Sequence, residues 1–181
     1  MSPIRGSSTP STPSVADTDK LYLVGFMGAG KTTVGGAVAR RLGWRLEDLD
    51  ERIEQLERRP IAEIFRLQGE PYFRVREREV LMALVPERHV VVASGGGTFI
   101  DPANRAAMLA DGTVVWLDLP LELLIERVPV DGRRPLAATR EAMEQLYVAR
   151  QAAYREAHLR LTVGRGPVEE TVERLLHLLS W

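Results

Sequence analysis

From Lys20 to the C-terminus, short apolar runs alternate with longer stretches patterned as helices. The runs LYLVGF (21–26), WRLED (44–48), HVVVAS (89–94), TVVWLDL (113–119) and LRLTV (159–163) predict five strands. HVVVAS and TVVWLDL are almost continuously apolar, as strands are when both of their faces are covered. Between them the pattern predicts helices at about 31–42, 51–57, 60–68, 72–85, 101–110, 120–128, 140–157 and 167–179. Pro60, Pro102 and Pro120 suit first-turn positions, and Asp101 suits an N-cap. This alternation predicts an α/β fold around a mainly parallel sheet. The segment VPVDGRRPLAATR (128–140) breaks the rhythm and predicts an exposed, mobile loop rich in arginine. No internal repeat is visible.

The first 19 residues, MSPIRGSSTPSTPSVADTD, do not share the pattern. They are rich in Ser, Thr and Pro, lack the apolar centre of a signal peptide, and carry one Arg against two Asp, unlike a transit peptide. Residues 1–19 are therefore expected to form a disordered tail, and 20–181 a single domain. A hydrophobic content of 45% and a charged content of 27% fit a soluble globular protein. The net charge of −1 offers no field to recruit nucleic acid or an anionic membrane. No apolar stretch approaches bilayer-spanning length. Without cysteine, disulfides, thiolate metal sites and thiol nucleophiles are excluded, and the cytoplasm is the default location. His89, His158 and His177 stand far apart with no partner at ligand or triad spacing, and read as structural or surface residues. Trp44, Trp116 and Trp181 read as packing residues.

Composition sharpens one detail. The chain has 22 arginines but only two lysines, and one of the two, Lys31, lies inside the glycine cluster GFMGAGKTT (25–33), directly behind LYLV. The segment matches G-x-x-x-x-G-K-[ST] with a strand before it and a helix after it. From this composition a chance match is expected on the order of once in a thousand such chains. The glycines let backbone N–H groups turn toward phosphates, and the following helix adds its positive end. Gly28, Ala29, Gly30, Lys31, Thr32 and Thr33 are thus candidates to hold the phosphates of a nucleotide. Lys31 reaches the β- and γ-phosphates and Thr32 binds Mg²⁺ in such loops. A phosphate loop specifies a nucleotide but not a reaction. The small size and the absence of a guanine-reading N-K-x-D tetrapeptide favour a small-molecule kinase. For a metal-supporting acid at a strand end, VVWLD offers Asp118, whereas VVVAS ends in Ser94.

The remaining chemistry is ambiguous residue by residue. Asp48 and Asp50 follow a short strand at a spacing that sends both carboxylates to one side, although Asp50 could simply cap the next helix. Arg74 and Glu77 in YFRVREREV fit an i,i+3 pair on a solvated face. Gly95, Gly96 and Gly97 follow a buried strand, where glycines mark close backbone approach. Arg134, in a mobile loop near a phosphate site, suits a lid that closes over the transferring group.

Taken in order, GFMGAGKTTVG, Asp48-Leu49-Asp50, Phe73-Arg74-x-x-Glu77, Gly95-Gly96-Gly97, Arg134-Pro135-Leu136, and Arg150 with Tyr154 resemble the shikimate kinase family, over essentially everything from Lys20 onward. The resemblance implies a P-loop three-layer sandwich of the nucleoside-monophosphate-kinase type, with a central five-stranded parallel sheet, helices on both faces and a mobile lid. It implies phosphate transfer from ATP, with Mg²⁺, to the 3-hydroxyl of shikimate. In this family Asp48 supports the metal, and Asp50 binds substrate hydroxyls and takes the reacting proton. Arg74 and Arg150 fork onto the substrate carboxylate, Glu77 steadies Arg74, and Gly95–Gly97 line the substrate site. Arg134 acts from the lid, and Arg127, Arg165 and Pro167 flank adenine. The chain departs from the family pattern at Ala152, where proline is usual, and in its doubled lid arginines Arg133-Arg134. A monomer is expected. The alternatives are another small-molecule kinase on this scaffold, such as a gluconate or nucleoside monophosphate kinase, and a catalytically silent binding module.

Overall fold

The computed structural model describes residues 18–128 and 135–181. The expected tail up to residue 17, and the lid arginines Arg133 and Arg134, lie outside the described residues. Thr18 and Asp19, placed in the tail by sequence, are tied to the fold. The Thr18 hydroxyl donates to the Lys20 carbonyl at 2.7 Å, and the His89 N–H donates to the Asp19 carbonyl at 2.7 Å.

All five predicted strands form: β1 (Lys20–Val24), β2 (Arg45–Asp48), β3 (Val90–Ala93), β4 (Thr113–Asp118) and β5 (Leu159–Thr162). They make one parallel sheet in the order β2-β3-β1-β4-β5. The three inner strands are buried at every position, while β2 and β5 at the edges are partly exposed. Each apolar run overshoots its strand by a residue or two because the chain leaves the sheet as soon as a loop begins.

The helices are α1 (Lys31–Leu42), α2 (Leu49–Glu57), α3 (Ile61–Leu84), α4 (Pro102–Asp111), α5 (Leu121–Arg127), α6 (Arg140–Tyr154) and α7 (Val168–Leu178). The two helices predicted at 60–68 and 72–85 are the arms of α3, broken at Gly69. Gly69 has φ 81° and ψ 170°, a conformation open to glycine and not to other residues, and Pro71 starts the second arm. Asp101 caps α4 as expected, accepting from the N–H groups of Ala103 and Asn104. Pro60 and Pro120 stand at the cap itself rather than in the first turn. Two short 3-10 turns, Thr98–Ile100 and Pro135–Ala137, were not anticipated.

Parallel strands require crossovers, and these are right-handed. From β1 the chain crosses toward β2, whereas from β3 it crosses back over β1 to β4. The loops after the neighbouring strands β1 and β3 therefore part at the carboxyl edge and open a crevice there. Gly35 lets α1 lie close to the sheet, since a Cβ there would come within 3.0 Å of Leu46 and 3.2 Å of Leu23. The second lysine has a structural task. Lys20 is fully buried, and its ammonium donates to the carbonyls of Leu84 and Val85 at the end of α3 and to Asp111, which also accepts from the Tyr22 hydroxyl.

Candidate active site

The loop after β1 turns through Ala29 N–H to the Phe26 carbonyl at 3.2 Å and enters α1 at Gly30. Gly30 has φ 90° with open space where a Cβ would stand, so backbone conformation rather than crowding calls for glycine. No side chain caps α1 and no acidic residue lies in its first turn, which leaves the N–H groups there without a side-chain acceptor from the helix itself. The Lys31 ammonium lies across the loop, donating to the carbonyls of Gly25 and Phe26 at 2.8 Å each. Thr32 and Thr33 are exposed at the helix start.

The two aspartates divide their work differently from the sequence expectation. Asp48, not Asp50, caps α2: its Oδ1 accepts from the N–H groups of Asp50 at 2.9 Å and Glu51 at 3.1 Å. Asp50 is in the first turn of α2, not on the strand, so strand alternation is not what directs its carboxylate. The other Asp48 oxygen accepts from the Thr32 hydroxyl. With its proton committed to Asp48, the Thr32 oxygen keeps lone pairs for a cation. A hydroxyl beside a carboxylate is a hard oxygen donor set suited to Mg²⁺. Among the described residues no group of three or more His, Asp or Glu side chains could hold a metal alone. Such an ion would thus take its remaining ligands from phosphate and water. Asp118 is taken up by Arg160, at 2.8 and 2.6 Å, and Ser94 by the Leu23 carbonyl, so Asp48 is the carboxylate beside Thr32.

Next to this loop opens a cleft of about 660 Å³, lined by Asp48, Asp50, Arg74, Glu77, Gly95, Gly96, Gly97 and Arg150 and walled by Met27, Ile61, Phe65, Phe73 and Leu136. The glycine run after β3 gathers the polar groups. A Cβ on Gly95 would come 2.8 Å from Asp50 Oδ1, one on Gly96 2.9 Å from Arg150 Nη1, and one on Gly97 2.6 Å from both Arg74 Nη atoms. The same Gly96 Cβ would lie 3.4 Å from the Met27 N–H nitrogen, which brings the run against the phosphate loop. Gly97→Ala should therefore push the Arg74 guanidinium aside while leaving the fold intact. We expect the KM for an anionic acceptor to rise about 10- to 100-fold with melting temperature little changed, as measured by steady-state kinetics and calorimetry.

Arg74 does pair with Glu77, but at the pocket rather than on a solvated face. Its Nη1 donates to Glu77 at 2.8 Å, and its Nε and Nη2 donate to Glu70 at 3.2 and 3.1 Å. Glu77 is fully buried and also accepts from the Thr98 hydroxyl at 2.6 Å. Arg150 is 5% exposed, and among the described residues no carboxylate lies within ion-pair distance of it. Burial disfavours its charge, while the Tyr154 phenol offsets this in part. Burial, followed by the nearby charges of Asp48 and Glu77, pushes the Asp50 carboxyl up to about 6.

The residues expected around adenine lie together at an exposed edge. Arg127, at the end of α5, lies beside the phosphate loop, its Cβ 3.8 Å from where Gly28 would carry one, and its guanidinium donates to the Gly164 carbonyl at 3.2 Å. Arg165 is forked onto Glu126 at 2.7 Å on both arms, and Pro167 is the N-cap of α7. Arg134 falls outside the described residues. Glu70 and Thr98 escaped the sequence reading. For Glu70 the i,i+4 spacing to Arg74 was a usable signal, but nothing in the sequence pointed to Thr98.

A phosphate loop at a parallel-sheet edge, beside a cleft that holds two arginines, one of them with no carboxylate at ion-pair distance among the described residues, defines a P-loop kinase for a small anionic acceptor. The sequence profile of the shikimate kinase family matches residues 27–180. A shikimate kinase of Persephonella marina is 42% identical over 151 residues, covering 82% of this chain and 92% of its own. The structure of the Acinetobacter baumannii shikimate kinase in complex with shikimate superposes with a TM-score of 0.87 at 36% identity, covering 91% of this chain and 94% of that one. A gluconokinase of Sinorhizobium meliloti, at 19% identity and a TM-score of 0.55, shares the fold alone. The chain belongs to the shikimate kinase family.

Proposed function

We infer that the protein transfers the γ-phosphoryl group of ATP to the 3-hydroxyl of shikimate, giving shikimate 3-phosphate for aromatic amino acid biosynthesis. The observation that carries the acceptor is Arg150. A buried guanidinium with no carboxylate at ion-pair distance among the described residues is costly to maintain, and this one meets Arg74 and Asp50 in a single cleft. Two planar guanidiniums fit a carboxylate, and an adjacent aspartate fits a hydroxyl. A gluconate-like acceptor would use similar groups, but the family membership favours shikimate. Nor does the silent-module alternative find support, because Lys31, Asp50 and Arg150 are all retained.

In this reading Arg74 and Arg150 clamp the carboxylate and so turn the acceptor hydroxyl toward the phosphate loop. Asp50 aligns that hydroxyl and accepts its proton. Lys31 and the N–H groups of Gly28, Ala29, Gly30, Thr32 and Thr33 hold the phosphates and receive the charge that develops on transfer. Thr32 and Asp48 would hold Mg²⁺, which when bound neutralises phosphate charge. Arg134 would act from the lid, and Arg127, Arg165 and Pro167 would border the adenine. Among the described residues no helix is long and apolar enough to cross a membrane. We place the protein in the cytoplasm, acting as a monomer on a dissolved acid.

The test is direct detection of shikimate 3-phosphate when the protein is given ATP and shikimate, with gluconate and AMP as competing acceptors. Transfer to gluconate or AMP with none to shikimate would overturn the assignment. Tight binding of ATP and shikimate without product would favour the silent module.

A further inference from the structure

The two arginines of the cleft are held in opposite ways. Arg74 sits between Glu77 at 2.8 Å and Glu70 at 3.1 Å, so its charge is already answered before a ligand arrives. Arg150 has instead a neutral neighbour, Tyr154, one helical turn further along α6 and 1% exposed. The Tyr154 hydroxyl donates to the Gly96 carbonyl at 2.6 Å. The phenol also offsets in part the cost of burying the Arg150 charge. The ring is fixed by stacking on Trp116, with centroids 5.8 Å apart and planes 28° apart.

A phenol whose proton is committed elsewhere can only accept from a guanidinium. As the neighbour of Arg150 it therefore leaves the guanidinium charge uncancelled, which a carboxylate in the same place would not do. On the other side Gly96 leaves no atom between the backbone and Arg150 Nη1, since a Cβ there would lie 2.9 Å away.

We propose that Tyr154 is a positioning residue for the acceptor's carboxylate: bonded to Gly96, whose backbone lies against Arg150, it holds the glycine run and the guanidinium in place together and leaves the charge intact. Arg150, rather than the compensated Arg74, then supplies most of the attraction for that carboxylate. The inference rests on the acceptor assignment made above.

Tyr154→Phe removes the hydroxyl and keeps the ring on Trp116. The KM for shikimate should rise about 10- to 30-fold, as for the loss of a buried hydrogen bond that leaves its carbonyl partner unsatisfied, with kcat and the KM for ATP changed less than about threefold. With shikimate methyl ester, which lacks the carboxylate charge, the Phe variant and the wild type should have nearly equal kcat/KM. On an Arg150→Gln background the Phe substitution should add nothing further. An unchanged KM for shikimate, or an equal penalty on acid and ester, overturns the proposal. Independently of how the variant folds, the ring-carbon NMR signal of Tyr154 in the wild type should shift on adding shikimate and stay in place on adding ATP; no shift with shikimate overturns it as well. A wild type inert toward shikimate overturns the acceptor assignment, and this inference with it. An active wild type beside an unimpaired Phe variant overturns the inference alone.

Discussion

Lys31→Met is expected to lower kcat for phosphate transfer by about a thousandfold or more, at the upper end of what removal of a single charge-stabilising donor costs. The ammonium is held at the mouth of the loop by the Gly25 and Phe26 carbonyls, so it is in place before nucleotide binds. Methionine fills similar space, but it can neither donate to those carbonyls nor answer phosphate charge. Losing two modest hydrogen bonds while removing a buried charge should leave stability within about 1–2 kcal/mol of the wild type. The affinity for shikimate, which we place in the neighbouring cleft, should change little. Product formation, titration calorimetry with shikimate and a thermal melt check the three parts. A Met variant with near-normal turnover removes Lys31 from the mechanism.

Asp50→Asn should be nearly as inactive, losing about 10²- to 10⁴-fold in kcat because the amide cannot accept the acceptor's proton. Unlike most site substitutions it should also stabilise the free protein. The Asp50 carboxyl is raised from 3.8 to about 6, by burial first and by the charges of Asp48 and Glu77 next. Between these values the native state holds a proton that the unfolded chain has released. The residue's contribution is therefore fully present below 3.8 and is lost as pH rises through about 6. A rise of this size corresponds to at most about 3 kcal/mol, and the partial exposure of the carboxylate reduces the expected gain from asparagine to about 1–2 kcal/mol. In metal-free buffer without nucleotide, the variant should melt about 3–6 °C above the wild type at pH 7.5 and level with it near pH 3.5. A variant that melts lower at neutral pH, or whose gain does not depend on pH, would show that the carboxylate is not strained in the native state.

Both substitutions concern residues that sequence pattern placed very unequally. Lys31 was legible because the phosphate loop is contiguous: its spacing, strand and helix all lie within about 20 residues. Asp48 and Asp50 were found as a pair, but their local roles were exchanged. Which carboxylate caps a helix depends on where the strand stops, and apolar pattern locates strand ends only to within a residue or two. Arg74 and Arg150 could not be told from solvated helix charges without the family resemblance, for they lie 76 positions apart and nothing local marks either as inward.

The sequence by itself determined the five strands, the helices, their α/β alternation and the phosphate loop, because each depends on residues close together in the chain. Tertiary structure alone decided that Gly95, Gly96 and Gly97 would each face one functional side chain. It also decided that Arg74 would arrive already paired, and that Arg150 would be buried near a phenol with no carboxylate at ion-pair distance among the described residues. The reason is physical: what a charged group does in a cleft is set by its desolvation and by its neighbours in space, and those neighbours come from strands and helices that meet only when the sheet closes.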